Sequence, residues 1–170
     1  MRILRQLPSF FKNLDIKYYG SDYNSKTIEW AKENFKKFNI KKNNLQPPLP
    51  FKNNEIDVIY CVSVFTHLSE LNTIKFIHDL HRILKKDGIL IATFHGDMNS
   101  KLLLEDELIK YKKGEFIERG NVYEGSRIYT SFQPDKFIER EFKNFKILET
   151  IKCNNENQSF QQDWWVFQKK

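Results

Sequence analysis

Cysteine is almost missing from this 170-residue chain: Cys61 and Cys153 are too few for a disulfide scaffold or a multi-cysteine zinc site. Cys61 stands in an apolar run and Cys153 in a polar stretch, which reads as two free thiols in a reducing cytoplasm. Long apolar runs are missing too. The longest, such as Val58 to Val62, are a few residues long, so no span of a membrane is expected. Residues 1–8, MRILRQLP, lack the apolar centre of a secretory signal. There is no Gly-x-Ser-x-Gly elbow and no phosphate loop ending in Gly-Lys-Ser/Thr, which sets aside serine hydrolases and P-loop enzymes. His67, His78, His81 and His95 do not stand at a helical metal-ligand spacing with an intervening acid. Alanine is scarce as well, with only Ala31 and Ala92. Together with abundant Lys, Asn, Ile and Phe, that scarcity reads as a genomic nucleotide bias.

What is present is enough for a folded domain. Hydrophobic residues make up 40% of the chain and aromatics 15%, including 15 Phe, so a sizeable core can be buried. The length is that of one domain, residues 1–170. The net charge of +6 arises in residues 1–50, which carry 10 basic and 4 acidic side chains. Lys32, Lys36, Lys37, Lys41 and Lys42 supply much of it. Such a patch could hold phosphates, but the solvated face of one helix is the favoured reading, and no nucleic-acid partner is expected.

Extended apolar runs alternate with helical patterns, as in a βα-repeating, mostly parallel sheet. Residues 2–14 read as a short helix broken near Pro8, and 16–20 as a strand. Asn24 or Ser25 caps a helix running to about Phe38, with Ile28, Ala31, Phe35 and Phe38 inward. Residues 46–50, QPPLP, form a stiff loop. Residues 56–62 are expected as a strand buried on both faces. A helix over about 70–85 is expected to end at Gly88, followed by a buried strand at 89–94. Residues 97–130 show little pattern beyond a helical piece around 102–111. A helix from Pro134 to about Phe142, a strand over 145–153, a polar turn at 154–158 and a strand over 164–168 close the chain. The last two strands read as an antiparallel edge pair. Within that pair, one of Trp164 and Trp165 must point inward.

In open α/β sheets, ligands bind beyond the carboxyl ends of the strands. Asp22 follows the first strand, where a carboxylate can accept two hydrogen bonds from ribose hydroxyls; it can equally open a turn or a helix. Ser63, Thr66 and His67 follow the central strand, and His95-Gly96 the next one. Either histidine could face a substrate as a proton carrier; His67 reads more readily as a packed or helix-capping residue, and His95 equally well as a loop-entry imidazole bonded to backbone.

Six pieces in order carry a family resemblance: YGSDYN at 19–24, PPLPF at 47–51, IDVIY at 56–60, SVFTHL at 63–68, LHRILKKDG at 80–88 and the strand 89–93. Over about residues 2–96 the chain resembles the S-adenosylmethionine-dependent methyltransferases with a Rossmann-like fold, methyltransferase domain types 11 and 25. The ending Gln162-Asp163-Trp164 resembles a bacterial subgroup associated with surface-glycan synthesis. The resemblance implies S-adenosylmethionine as cofactor and methyl transfer to a small-molecule or glycan acceptor. It implies that Asp22 binds the ribose and that Tyr23 lies against the adenine. Leu45 and Gln46 would flank the adenine amino group, and Ser63 the methionine part. The family starts with a strand and a Gly-x-Gly-x-Gly loop, whereas residues 1–7 resemble the helix that follows that loop. The chain is therefore expected to be truncated at its amino end and to bind cofactor weakly, unless a second copy or another chain covers the missing strand. A non-catalytic remnant or partner subunit is one alternative. A nicotinamide-binding oxidoreductase fragment is another, disfavoured by the PPLPF loop and the antiparallel ending.

Overall fold

The computed structural model describes residues 4–119, 121–126, 128–154 and 161–170. The expectations for residues 1–3, for Gly120 and for the turn at 155–158 lie outside the described residues. The chain divides into two compact units, residues 1–50 and 51–170. Among the described residues no helix is long and apolar enough to cross a membrane.

The first unit holds α1 (Leu7–Phe10), β1 (Tyr19–Asp22), α2 (Ser25–Asn34) and β2 (Asn39–Lys42). Pro8 stands in the first turn of α1, so it opens that helix and does not break it; a missing N–H costs nothing there. Asn24 caps α2, its side chain accepting from the Thr27 N–H at 3.1 Å. The helix turns Ile28 and Ala31 into the interior. It stops at Asn34, short of the expected Phe38. Phe35 leaves the helical region there and stacks on Phe38 with centroids 5.3 Å apart, closing the turn into β2. β2 has no apolar alternation to betray it, since Ile40 is its one buried residue. It pairs in parallel with β1, from Tyr19 opposite Asn39 to Asp22 opposite Lys42.

The second unit contains β3 (Ile56–Cys61), a single 3-10 turn (Phe65–His67), α3 (Glu70–Ile83), β4 (Leu84–Phe94), α4 (Asp97–Ser100) and α5 (Glu105–Lys113). It continues with β5 (Ile117–Arg119), β6 (Thr130–Phe132), α6 (Asp135–Glu141), β7 (Phe145–Ile151) and β8 (Asp163–Lys169). Its main sheet runs β3-β4-β8-β7, with β3 and β4 parallel and β8 antiparallel to both neighbours. Parallel strands followed by an antiparallel edge pair form the α/β fold that the sequence implies. β5 and β6 make a separate antiparallel pair within the stretch that had shown little pattern.

Two expectations are corrected. β3 is not buried on both faces: Asp57 and Val58, neighbours on opposite faces, are both exposed, Val58 at 55%. The reason is positional, because β3 is the outer strand of its sheet and pairs only with β4 among the described residues. Gly88 does not end α3, which gives way at Leu84 to extended backbone paired with Ile56. Residues 85–88 bulge from the ladder, with Asp87 at φ 61°. Gly88 is needed for room: a Cβ there would lie 2.8 Å from the Lys85 carbonyl oxygen and 3.1 Å from that of Asp57.

The core of this unit is aromatic. Phe142 stacks on Phe167 at 4.2 Å between centroids, and Phe65 on Phe94 at 5.1 Å. Phe145 and Trp165 extend the cluster, and Trp165 is the inward member of the tryptophan pair.

Candidate functional site

In the first unit, β1 and β2 end side by side, and the main-chain carbonyl of Asp22 accepts the Asn43 N–H at 3.1 Å. Asp22 Oδ1 accepts the Asn24 N–H at 2.9 Å, which sets the turn into α2. The carboxylate thus opens a turn, as one of its two readings required. Its second oxygen has no hydrogen bond among the described residues, so the ribose reading keeps an acceptor. Tyr23 follows, 39% exposed. Leu45 is half-buried and Gln46 exposed, three and four residues past the end of β2. Asp22 and this loop leave the same edge of one small sheet. A carboxylate beside an exposed aromatic ring suits a nucleoside, whose hydroxyls donate and whose base stacks.

In the second unit, the ends of β3 and β4 meet in a continuous hydrogen-bond network. Ser63 adopts φ 53°, a left-handed conformation uncommon for a residue with a side chain. Its N–H donates to Thr93 Oγ1 at 2.9 Å, and its hydroxyl donates to Gln162 Oε1 at 3.1 Å. Thr93 Oγ1 donates to the same Gln162 oxygen at 2.5 Å. Gln162 Nε2 lies 3.4 Å from His95 Nε2. Ser63 and His95 are therefore linked through Gln162.

Both histidines are held from β6 or the residue before it. His67 Nδ1 lies 2.7 Å from the Tyr129 carbonyl oxygen, and His95 Nδ1 lies 3.0 Å from that of Ser131. A carbonyl only accepts, so each Nδ1 carries the proton and each Nε2 is left as a lone pair in the neutral ring. Buried Gln133 supports the second contact, accepting the His95 N–H at 3.3 Å and donating to the Phe65 carbonyl at 3.3 Å. Burial pulls the His95 pKa below its ordinary value and nearby His67 adds to this, against the opposing pull of the Ser131 bond. His95 Nε2 therefore faces the network as an uncharged hydrogen-bond acceptor. Gly96 serves a different purpose from flexibility. A Cβ there would come within 2.0 Å of Asp163 Oδ2, so its absence admits that carboxylate.

Asp163 is in turn neutralised by Lys152 Nζ at 3.0 Å. Burial would lower the Lys152 pKa, but its bonds to Asp135 and Asp163 outweigh that and raise it. Cys61, buried at the end of β3, has its thiol pushed up to about 12 by desolvation, which disfavours the nucleophilic thiolate. No group of three metal-ligating side chains occurs among the described residues.

Gln162, Thr93, Ser131 and Gln133 are members of this network that residue-by-residue reading passes over. One signal could have found Gln162: an ending strand laid antiparallel on 89–94 places residue 162 just beyond the pair Phe94–Asp163, beside His95.

Comparison with known proteins follows the same lines. Residues 3–92 match the family model described as a methyltransferase domain. Over 90 residues the chain is 29% identical to an uncharacterized protein of Methanocaldococcus jannaschii, covering 51% of this chain and 37% of that protein. The match thus spans little over a third of the relative's length. Among solved structures it resembles an S-adenosylmethionine-dependent methyltransferase from Methanosarcina mazei, with 16% identity and a TM-score of 0.64, covering 89% of this chain and 81% of the other. It also resembles a structure from Haloferax volcanii, a methyltransferase in complex with the Trm112 methyltransferase activator. That likeness has 11% identity and a TM-score of 0.64, covering 97% of this chain and 77% of the other.

Proposed function

The chain belongs to the methyltransferase domain family, whose methyl donor is S-adenosylmethionine, and we propose that its role is methyl transfer to a small-molecule or glycan acceptor. The family match over residues 3–92 carries this reading. Asp22, with an unused carboxylate oxygen at the end of a parallel strand, fits the ribose diol of the donor. Tyr23 would cover the adenine, Leu45 and Gln46 would border it, and Ser63 would face the methionine part.

When bound, S-adenosylmethionine supplies a methyl group made electrophilic by its sulfonium. The chain's own residues then have two tasks. They hold the acceptor in line, which can supply most of the rate by proximity. They also take the acceptor's proton, for which His67 Nε2 and His95 Nε2 are the candidates. Calorimetric titration of S-adenosylmethionine tests the reading: binding should be saturable and should largely disappear in Asp22→Ala. Equal binding by the variant would remove Asp22 from the site.

One observation favours a second reading, a partner subunit completed by another chain. β3 has no strand on its outer side among the described residues, and an unpaired edge invites one. The Haloferax volcanii methyltransferase was solved with an activator chain, which makes a protein partner a reasonable object of search. Sedimentation or light scattering of the purified chain separates this reading from a monomer.

A further inference from the structure

We infer that Gln162 is a positioning residue that caps the bare Nε2 of His95 and ties that imidazole to the Ser63 turn. The inference rests on the acceptor-side reading of His95 given above, but its test needs neither donor nor acceptor.

The hydrogen directions allow one arrangement in a neutral network. Thr93 Oγ1 accepts the Ser63 N–H, so its own hydrogen is free to go to Gln162 Oε1. The Ser63 hydroxyl donates to the same oxygen. With two hydroxyls spent on Oε1, the Gln162 amide turns its N–H toward His95. His95 has already committed Nδ1–H to the Ser131 carbonyl, so Nε2 is the acceptor that N–H meets. Turning the amide over would place Oε1 against an unprotonated nitrogen, which is repulsive.

The 3.4 Å separation makes this the loosest link of the network. A ligand group can displace it if that group brings a donor of its own. The acceptor's reacting group is accordingly a hydroxyl or an amine that still carries a hydrogen, because a carboxylate or phosphate would face a lone pair. Other titratable groups close to this part of the fold are His67, Asp97 beyond Gly96, and the neutralised Asp163–Lys152 pair. His78 and His81 lie on α3 and serve as internal controls.

The test is 15N NMR of the histidine rings in the full chain, with a pH titration of wild type, Gln162→Leu and Gln162→Glu. In wild type, His95 should show a protonated Nδ1 and a bare Nε2, titrating below the usual 6.5. In Gln162→Leu the neutral form loses a donor, and the midpoint should rise. In Gln162→Glu a carboxylate replaces the amide N–H, and the midpoint should rise further, by about 1 unit or more. His78 and His81 should not move. An unchanged His95 midpoint in both variants, or a wild-type His95 with its proton on Nε2, would overturn the inference. If Gln162→Glu does not fold, the wild-type tautomer and the Gln162→Leu midpoint still decide. A sound Gln162 result beside absent donor binding would sink the proposed function and leave this inference standing.

Discussion

Residues 51–170 and residues 1–50 solve the problem of burying apolar surface differently. The second unit wraps four strands around stacked Phe65, Phe94, Phe142 and Phe167, each almost wholly buried. The first unit has a two-stranded sheet, and its buried apolar residues are Leu4, Ile28, Ala31 and Ile40 among those described. It leaves Phe10, Phe11, Leu14 and Trp30 in solvent. A two-stranded pair with so little buried area is marginal by itself. The two regions also divide the candidate chemistry. Asp22 and its loop stand on the weakly packed unit, whereas the imidazole network stands on the strongly packed one, where rotamers are fixed by surrounding bonds.

Breaking the aromatic core should give the largest effect. Phe167→Ala should cost about 3–5 kcal/mol in denaturant unfolding, from lost transfer energy and the cavity it leaves. Phe10→Ala, at a residue 77% exposed in the first unit, should stay within about 0.5 kcal/mol. Equal costs would erase the contrast.

Lys152→Met should come next. It leaves the Asp163 carboxylate, 2% exposed, without its cation, although the Cys153 N–H still donates to it at 2.8 Å. The expected loss is about 3 kcal/mol, the low end for unpairing a buried charge because Lys152 is itself partly in solvent. Gly88→Ala, measured the same way, should cost about 1–3 kcal/mol through the crowding of the Lys85 and Asp57 carbonyls.

The smallest effect is a pH dependence. His95 has a lowered pKa in the folded chain, so below 6.5 the unfolded chain binds more protons. The stability due to its neutral form is complete above 6.5 and is lost as pH falls through the folded value. His95→Gln should flatten that part of the stability profile. Hydrogen exchange sharpens the same comparison: amides of β4 and β8 should exchange only on global opening, and those of β1 and β2 sooner.

Much of the second unit was legible because its strands are apolar and its breaks fall at polar residues. The helices at 70–83 and 135–141 and the antiparallel ending could be read from spacing alone. β2 could not, since Asn39-Ile40-Lys41-Lys42 buries one side chain and its identity as a strand depends on pairing with β1. β5 and β6 are short for the same reason. Gly88 misleads because a glycine after a helix has two physical uses, a left-handed cap or a close backbone approach, and only coordinates distinguish them.

The candidate residues split similarly. Asp22, Ser63, His67 and His95 are visible as strand-end residues, a local property. Gln162, Ser131 and Gln133 enter through contacts 36 or more residues away along the chain, which no local pattern encodes.

The methyltransferase reading is tested most directly by thermal unfolding with and without S-adenosylmethionine. The comparison uses this chain with Asp22 or Ala at residue 22. Clear donor-dependent stabilisation is expected of the Asp22 form, with most of the gain lost in Asp22→Ala. Equal stabilisation of both forms, or none in either, would contradict the reading.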